Sequence, residues 1–121
     1  MPKYKEKFID NVSVVREYYD NAMEDNVEPF FNFIIGDIVY MKKAFDGHSK
    51  EYYNIHREDG PALIQKDGKQ YWLQNGKLHR SNGPCVVYPL SIVEPKFFLE
   101  GKLYKDEEEY WMKVLNEYKI Y

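Results

Sequence analysis

One phrase of this sequence occurs twice, and it narrows the fold more than any other feature. His56-Arg57-Glu58-Asp59-Gly60-Pro61 returns 23 residues later as His79-Arg80-Ser81-Asn82-Gly83-Pro84. Repetition at such a period marks one supersecondary unit copied along the chain, each copy too small to bury an apolar face alone. Between the copies lie two more turn dipeptides, Asp67-Gly68 and Asn75-Gly76. Residues of these types tolerate φ > 0, as tight hairpins require.

The stretches between the turns read as short strands: 61–65, 70–74, 78–80 and 85–88. Pro61 and Pro84 lack an amide hydrogen, so each belongs at a strand start or on an edge. An antiparallel meander with closely spaced turns follows. A degraded third copy comes after the loop 89–95. Lys96-Phe97-Phe98-Leu99 matches Gln70-Tyr71-Trp72-Leu73, and Glu100-Gly101-Lys102-Leu103 matches Asn75-Gly76-Lys77-Leu78. Tyr104-Lys105 stands where the His-Arg pair would be.

The flanks are read by periodicity. Residues 3–7 are charged and predicted to be loosely docked. Val12, Val15, Tyr18, Tyr19, Ala22 and Met23 fall at helical spacing and predict a helix over 12–24, with Arg16 in water. Phe30 to Phe45 is rich in β-formers, and Gly36-Asp37 suggests a type II′ hairpin within it. Asp106 with Glu109 has the spacing of a capping box. Trp111, Val114, Leu115 and Tyr118 then form an apolar helical stripe. The expected fold is α+β: an antiparallel β-meander of short hairpin repeats between an N-terminal helix and a C-terminal capping helix. One domain is expected over 1–121, with a helical segment at 1–29, the meander at 30–104 (repeats at about 55–77 and 78–102) and the last helix at 105–121.

Composition bounds the function. Seventeen basic and twenty acidic residues give a formal charge of −3. No lysine or arginine run supplies the footprint of a nucleic-acid binder. The single cysteine, Cys85, can form neither an internal disulfide nor a multi-cysteine zinc site, which fits a reducing compartment. Neither a secretory h-region nor a membrane-spanning apolar run is apparent, so a cytoplasmic protein with no membrane partner is expected.

The phrases His56-Arg57-Glu58-Asp59-Gly60-Pro61-Ala62, Trp72-Leu73-Gln74-Asn75-Gly76-Lys77-Leu78-His79-Arg80 and Asn82-Gly83-Pro84 resemble the W-x-x-NGK-x-HR-x-DGPA repeats of small bacteriophage and giant-virus proteins. Those repeats are in turn similar to MORN repeats. The resemblance implies a viral protein acting in the host cytoplasm, where it would bind and inhibit a host protein such as a defence component. Asn82 and Cys85 depart from the pattern, and residues 1–45 lie outside it.

Histidines invite a catalytic reading, because they titrate near neutrality and can exchange protons. Yet His56 and His79 recur with the unit, as do Asp59, Gly60, Pro61, Asn75, Gly76, Asn82, Gly83 and Pro84, so all of these read as architecture. Histidine at a strand end can bond leftover backbone groups, and Arg57 can pair with Asp59. His48, His56, His79 and Cys85 lack metal-site spacing, and no phosphate-loop motif occurs, so neither metal nor cofactor is expected. The aromatics remain. Twelve tyrosines, seven phenylalanines and two tryptophans cannot all face inward on alternating strands. Tyr52, Tyr53, Arg57, Tyr71, Trp72, Arg80, Tyr88 and Phe97 make the candidate binding surface, of the residue types that dominate interfaces. The reading is a non-enzymatic protein-binding module. Its alternatives are an oligomer that sequesters a small nucleotide and a small hydrolase or nuclease using His56 or His79.

Overall fold

The computed structural model describes residues 3–24, 26–29, 32–45, 51–90 and 93–118. Strands dominate them, in open and mostly antiparallel sheets, and one helix closes the C-terminal end.

The long strand β6 (Ile38–Phe45; β1–β5 precede it) is the spine of the largest sheet. One of its edges pairs with β2 (Ser13–Tyr18), which pairs in turn with β1 (Tyr4–Phe8). Its other edge is shared: β7 (Glu51–Ile55) takes the C-terminal half and β8 (Leu63–Ile64) the N-terminal half. β9 (Gln70–Tyr71) and β12 (Val86–Val87) continue the sheet from β8. β4 (Val27–Glu28) pairs parallel to β7. Two-stranded pieces complete the array: β3 (Ala22–Met23) with β5 (Asn32–Phe33), β10 (Leu73–Gln74) with β11 (Lys77–Leu78), and β13 (Phe97–Leu99) with β14 (Lys102–Tyr104).

The helix expected over 12–24 is not formed; the segment holds β2 and β3 instead. Within β2 the buried residues are Val14, Arg16 and Tyr18, a period of two. Spacing at 12, 15, 18, 19, 22 and 23 satisfies a helical wheel as well, and pairing with β6 decides between the two. Arg16 shows why. Placed in water by the helical reading, it is only 5% exposed, its Nε is 2.7 Å from Glu6 Oε2, and its guanidinium lies 4.0 Å from the Tyr4 ring centre. Burial opposes its charge, and hydrogen bonds to Tyr18 and Glu6 more than offset that, so its pKa is raised. These partners draw residues 4–8 into a strand, where loose docking was expected.

The type II′ hairpin is also replaced. The Asp37 amide donates to Ile34 O at 3.0 Å, so Ile35 and Gly36 are the central residues of the turn. Gly36, at φ 94°, takes the second central position, which suits type II. β5 pairs with β3 rather than with β6. Phe30, Phe31 and residues 46–50 lie outside the described residues.

The main core gathers Val14, Tyr18, Phe33, Val39, Met41, Ile55, Leu63 and Leu73 from the strands around β6. A second, smaller core forms where α1 (Glu107–Glu117) packs on β13 and β14. The Asp106 side chain caps the helix, accepting from the Glu108 amide at 2.9 Å. Its inward stripe is Tyr110 and Val114, flanked by half-buried Trp111 and Tyr118. Leu115, expected on that stripe, is 60% exposed. The stripe is centred on Tyr110, one position earlier than the sequence pattern placed it, and this turns Leu115 outward. Among the described residues no helix is long and apolar enough to cross a membrane.

Candidate binding face

Hydrogen bonds between units define the repeat more sharply than the sequence does. Arg57 N–H donates to Leu73 O at 3.1 Å, and Arg80 N–H donates to Phe98 O at 3.2 Å. Gly76 N–H reaches Ile55 O, and Gly101 N–H reaches Leu78 O. Ala62 N–H reaches Tyr71 O, and Cys85 N–H reaches Lys96 O. Phe98 is therefore the counterpart of Leu73 and Phe97 that of Trp72, one residue away from the alignment by sequence. An upstream unit also emerges. His56 N–H donates to Tyr40 O as His79 N–H donates to Trp72 O, which makes Tyr40 the counterpart of Trp72.

Each residue of the repeated phrase has a contact that explains it. Nδ1 of His56 accepts the Asn75 amide at 2.9 Å, and Nδ1 of His79 accepts the Glu100 amide at the same distance. Asn75 (φ 51°) and Glu100 (φ 49°) are left-handed, each followed by a glycine with positive φ, so both turns have the type I′ form. Each histidine thus pins the next unit's hairpin. An Nδ1 that accepts carries no proton, which makes the imidazole neutral with its hydrogen on Nε2. Burial, with Lys42 nearby, lowers the His56 pKa, and Glu58 works against that shift.

The arginines are held on every side. Arg57 Nε donates to Asp59 Oδ1 at 3.1 Å and Nη1 to Pro61 O at 3.3 Å. Arg80 Nε donates to Asn82 Oδ1 at 3.1 Å and Nη1 to Pro84 O at 2.9 Å. Each guanidinium lies over a ring, Arg57 3.9 Å from the Tyr40 centre and Arg80 4.0 Å from that of Trp72. The glycine closes the other side: a Cβ on Gly60 or Gly83 would stand 2.9 or 3.0 Å from the guanidinium carbon. Cys85, beneath this layer, has its Sγ 2.9 Å from Trp72 O, and burial pushes its pKa up to about 12. That thiol stays protonated.

The two turns differ in what lies on them. On the second, the Tyr110 hydroxyl donates to Arg80 O, lies 2.9 Å from Gly83 O and accepts the Gly83 amide at 3.3 Å. Its ring packs on Phe97 with centres 4.7 Å apart. On the first, Arg57 O and Gly60 O meet no donor among the described residues. A groove of about 420 Å³ runs there between the two turns, over Trp72 and Arg80 and beside Glu58 and Asp59. A second groove of about 530 Å³ flanks the first turn on its other side. Tyr40, Lys42 and His56 line it, and Ile9 and Val12 form its lip.

That lip is apolar and exposed. Ile9 and Val12, in the turn from β1 to β2, are 56% and 42% exposed, and Phe8, at the end of β1 and outside the groove lining, is 62% exposed. Asp10 fixes the turn, its Oδ1 accepting the Val12 and Ser13 amides at 2.8 Å each. The expected binding residues sit otherwise. Tyr52, Tyr53, Arg57, Tyr71, Trp72, Arg80, Tyr88 and Phe97 are all half-buried. Tyr53 lies 5.2 Å beneath the Arg16 guanidinium, and Phe97 is covered by Tyr110. Phe8 and Ile9 fall between the loosely docked segment read at 3–7 and the helix read over 12–24, and that helix reading takes Val12 for its apolar face, so neither reading points to the lip. Three large apolar residues around Asp10-Asn11 were the available signal.

Among the described residues no three His, Cys, Asp or Glu side chains gather as metal ligands; His48 lies outside them. Compared with family models, with curated proteins and with solved structures, the chain finds no match in any of the three.

Proposed function

We propose that this chain is a non-enzymatic protein-binding module built on MORN-like repeats, and that it docks through the face around its first His-Arg turn. The observation that carries this reading is the exposed pair Ile9 and Val12 at the lip of an open groove, with exposed Phe8 beside Ile9 in the chain. Apolar residues grouped at the rim of a concavity are how interaction sites present themselves. The histidines and arginines best suited to chemistry are committed to internal bonds, which favours binding over catalysis. The setting implied by the family resemblance is part of the proposal: a viral protein in the host cytoplasm that binds and inhibits a host protein. Capture from host lysate tests it, with the wild-type chain and a Phe8→Ser/Ile9→Ser variant as baits. One stoichiometric protein held by the wild type and lost by the folded variant is expected. Identical captures, or an empty capture by wild-type chain, would overturn it.

A further inference from the structure

We infer that the groove between the two His-Arg turns receives a tyrosine side chain of the partner protein, carried on a segment with basic residues beside it. This inference rests on the protein-binding reading and supplies the partner's chemistry. The molecule contains its own example of the contact. Between the second turn and Phe97, Tyr110 lays its ring on the aromatic and sends its hydroxyl to the carbonyls of Arg80 and Gly83. The bonds between units repeat, so the space between the first turn and Trp72 is the counterpart of that seat. Arg57 O and Gly60 O correspond to the pair that Tyr110 engages, and of the two residues Gly60 lines the open groove. Its floor differs in one respect: Trp72 carries Arg80, so an incoming ring would rest against that stacked pair.

Charge sets the flanks. The helix that delivers Tyr110 carries Glu107, Glu108 and Glu109 in its first turn. The turn that receives it holds neutral Ser81 and Asn82 at the positions where the first turn holds Glu58 and Asp59. Both of those carboxylates are largely exposed. An acidic segment is accepted at the second turn and would be repelled at the first, where lysines or arginines beside the tyrosine are favoured.

The test is a titration of the ¹⁵N-labelled full chain with the synthetic peptide acetyl-Lys-Lys-Ala-Tyr-Ala-Lys-Lys-amide, read by amide shifts up to millimolar concentration. Saturable shifts centred on Asp59, Gly60 and the Trp72 indole are expected. They should disappear when phenylalanine replaces the peptide's tyrosine, and binding should weaken about tenfold or more when glutamates replace its lysines. A Glu58→Ser/Asp59→Asn variant keeps the arginine's acceptor, since Asn82 makes the same 3.1 Å contact with Arg80. It should melt like the wild type and bind the lysine peptide about tenfold more weakly. Absent shifts, equal binding of the phenylalanine peptide, or equal binding of the glutamate peptide would each overturn the inference. The general reading fails separately. Wild-type capture unaffected by Phe8→Ser/Ile9→Ser defeats the apolar lip, and missing peptide shifts beside a successful capture defeat only the partner chemistry.

Discussion

At the second His-Arg turn the backbone faces Tyr110, and at the first it faces a groove. The arginine contacts are otherwise closely matched, from the 3.1 Å Nε bond to the ring about 4 Å beneath each guanidinium. One motif therefore serves two ends. Its internal contacts make the turn rigid, and whatever lies on the outside decides whether that turn belongs to the core or to a surface. Residues that look catalytic in a list can be the means by which a repeat holds its neighbour.

The largest effects should come from removing the covering residue. Tyr110→Ala empties the smaller core and should cost about 3–5 kcal/mol, as large aromatic truncations do. Tyr110→Phe keeps the ring and strips the donor from Arg80 O and Gly83 O, for about 1–3 kcal/mol. Denaturant midpoints measure both, and equal midpoints for Phe and wild type would break the contrast between the turns. Truncating the arginines comes next. Arg80→Ala should cost about 2–3 kcal/mol and Arg57→Ala about 1–2 kcal/mol, because Arg80 makes the shorter carbonyl bond, 2.9 Å against 3.3 Å, and stacks on a tryptophan rather than a tyrosine. The reverse order would contradict the account.

Acid should separate His56 from ordinary surface groups. The His56 pKa is held below the usual 6.5 in the folded chain, so the unfolded chain binds its proton first as pH falls. The stability tied to neutral His56 is complete above pH 6.5 and declines below it, toward the depressed folded value. Protonation also removes the lone pair that accepts the Asn75 amide. Melting temperature should fall from pH 7 to pH 5, and by less in His56→Gln; an unchanged slope in the variant would remove the histidine from the account. The smallest effect expected is a gain. Glutamate is poorly suited to the left-handed position at Glu100, so Glu100→Asn should stabilise by about 0.5–1 kcal/mol in the same assay.

Much of the second and third units is legible because their turns are short and of recognisable chemistry. Asn75-Gly76 and Glu100-Gly101 each join paired strands by two residues, and the histidine in one unit is matched by a left-handed amide in the next. The first unit is hidden by its connection. Tyr40 precedes Arg57 by 17 residues, whereas Trp72 precedes Arg80 by eight, so no alignment of letters brings the pairs together. The N-terminal strands are masked for a different reason. β2 buries an arginine whose partners, Glu6 and Tyr4, lie on another strand, and a local pattern cannot anticipate a charge paired across a sheet. The half-buried aromatics were recognisable as a class. Which of them the arginines and Tyr110 would cover depends on contacts between units.

Photo-crosslinking tests the open face most directly. A benzoylphenylalanine in place of Ile9 reports on the groove beside the first turn, and one in place of Met112 reports on the outward side of α1, which is just as exposed. Irradiation in host lysate should give an adduct of one discrete mass from position 9 and none from position 112. No adduct at position 9, or the same adducts from both, would contradict a binding face at the first His-Arg turn.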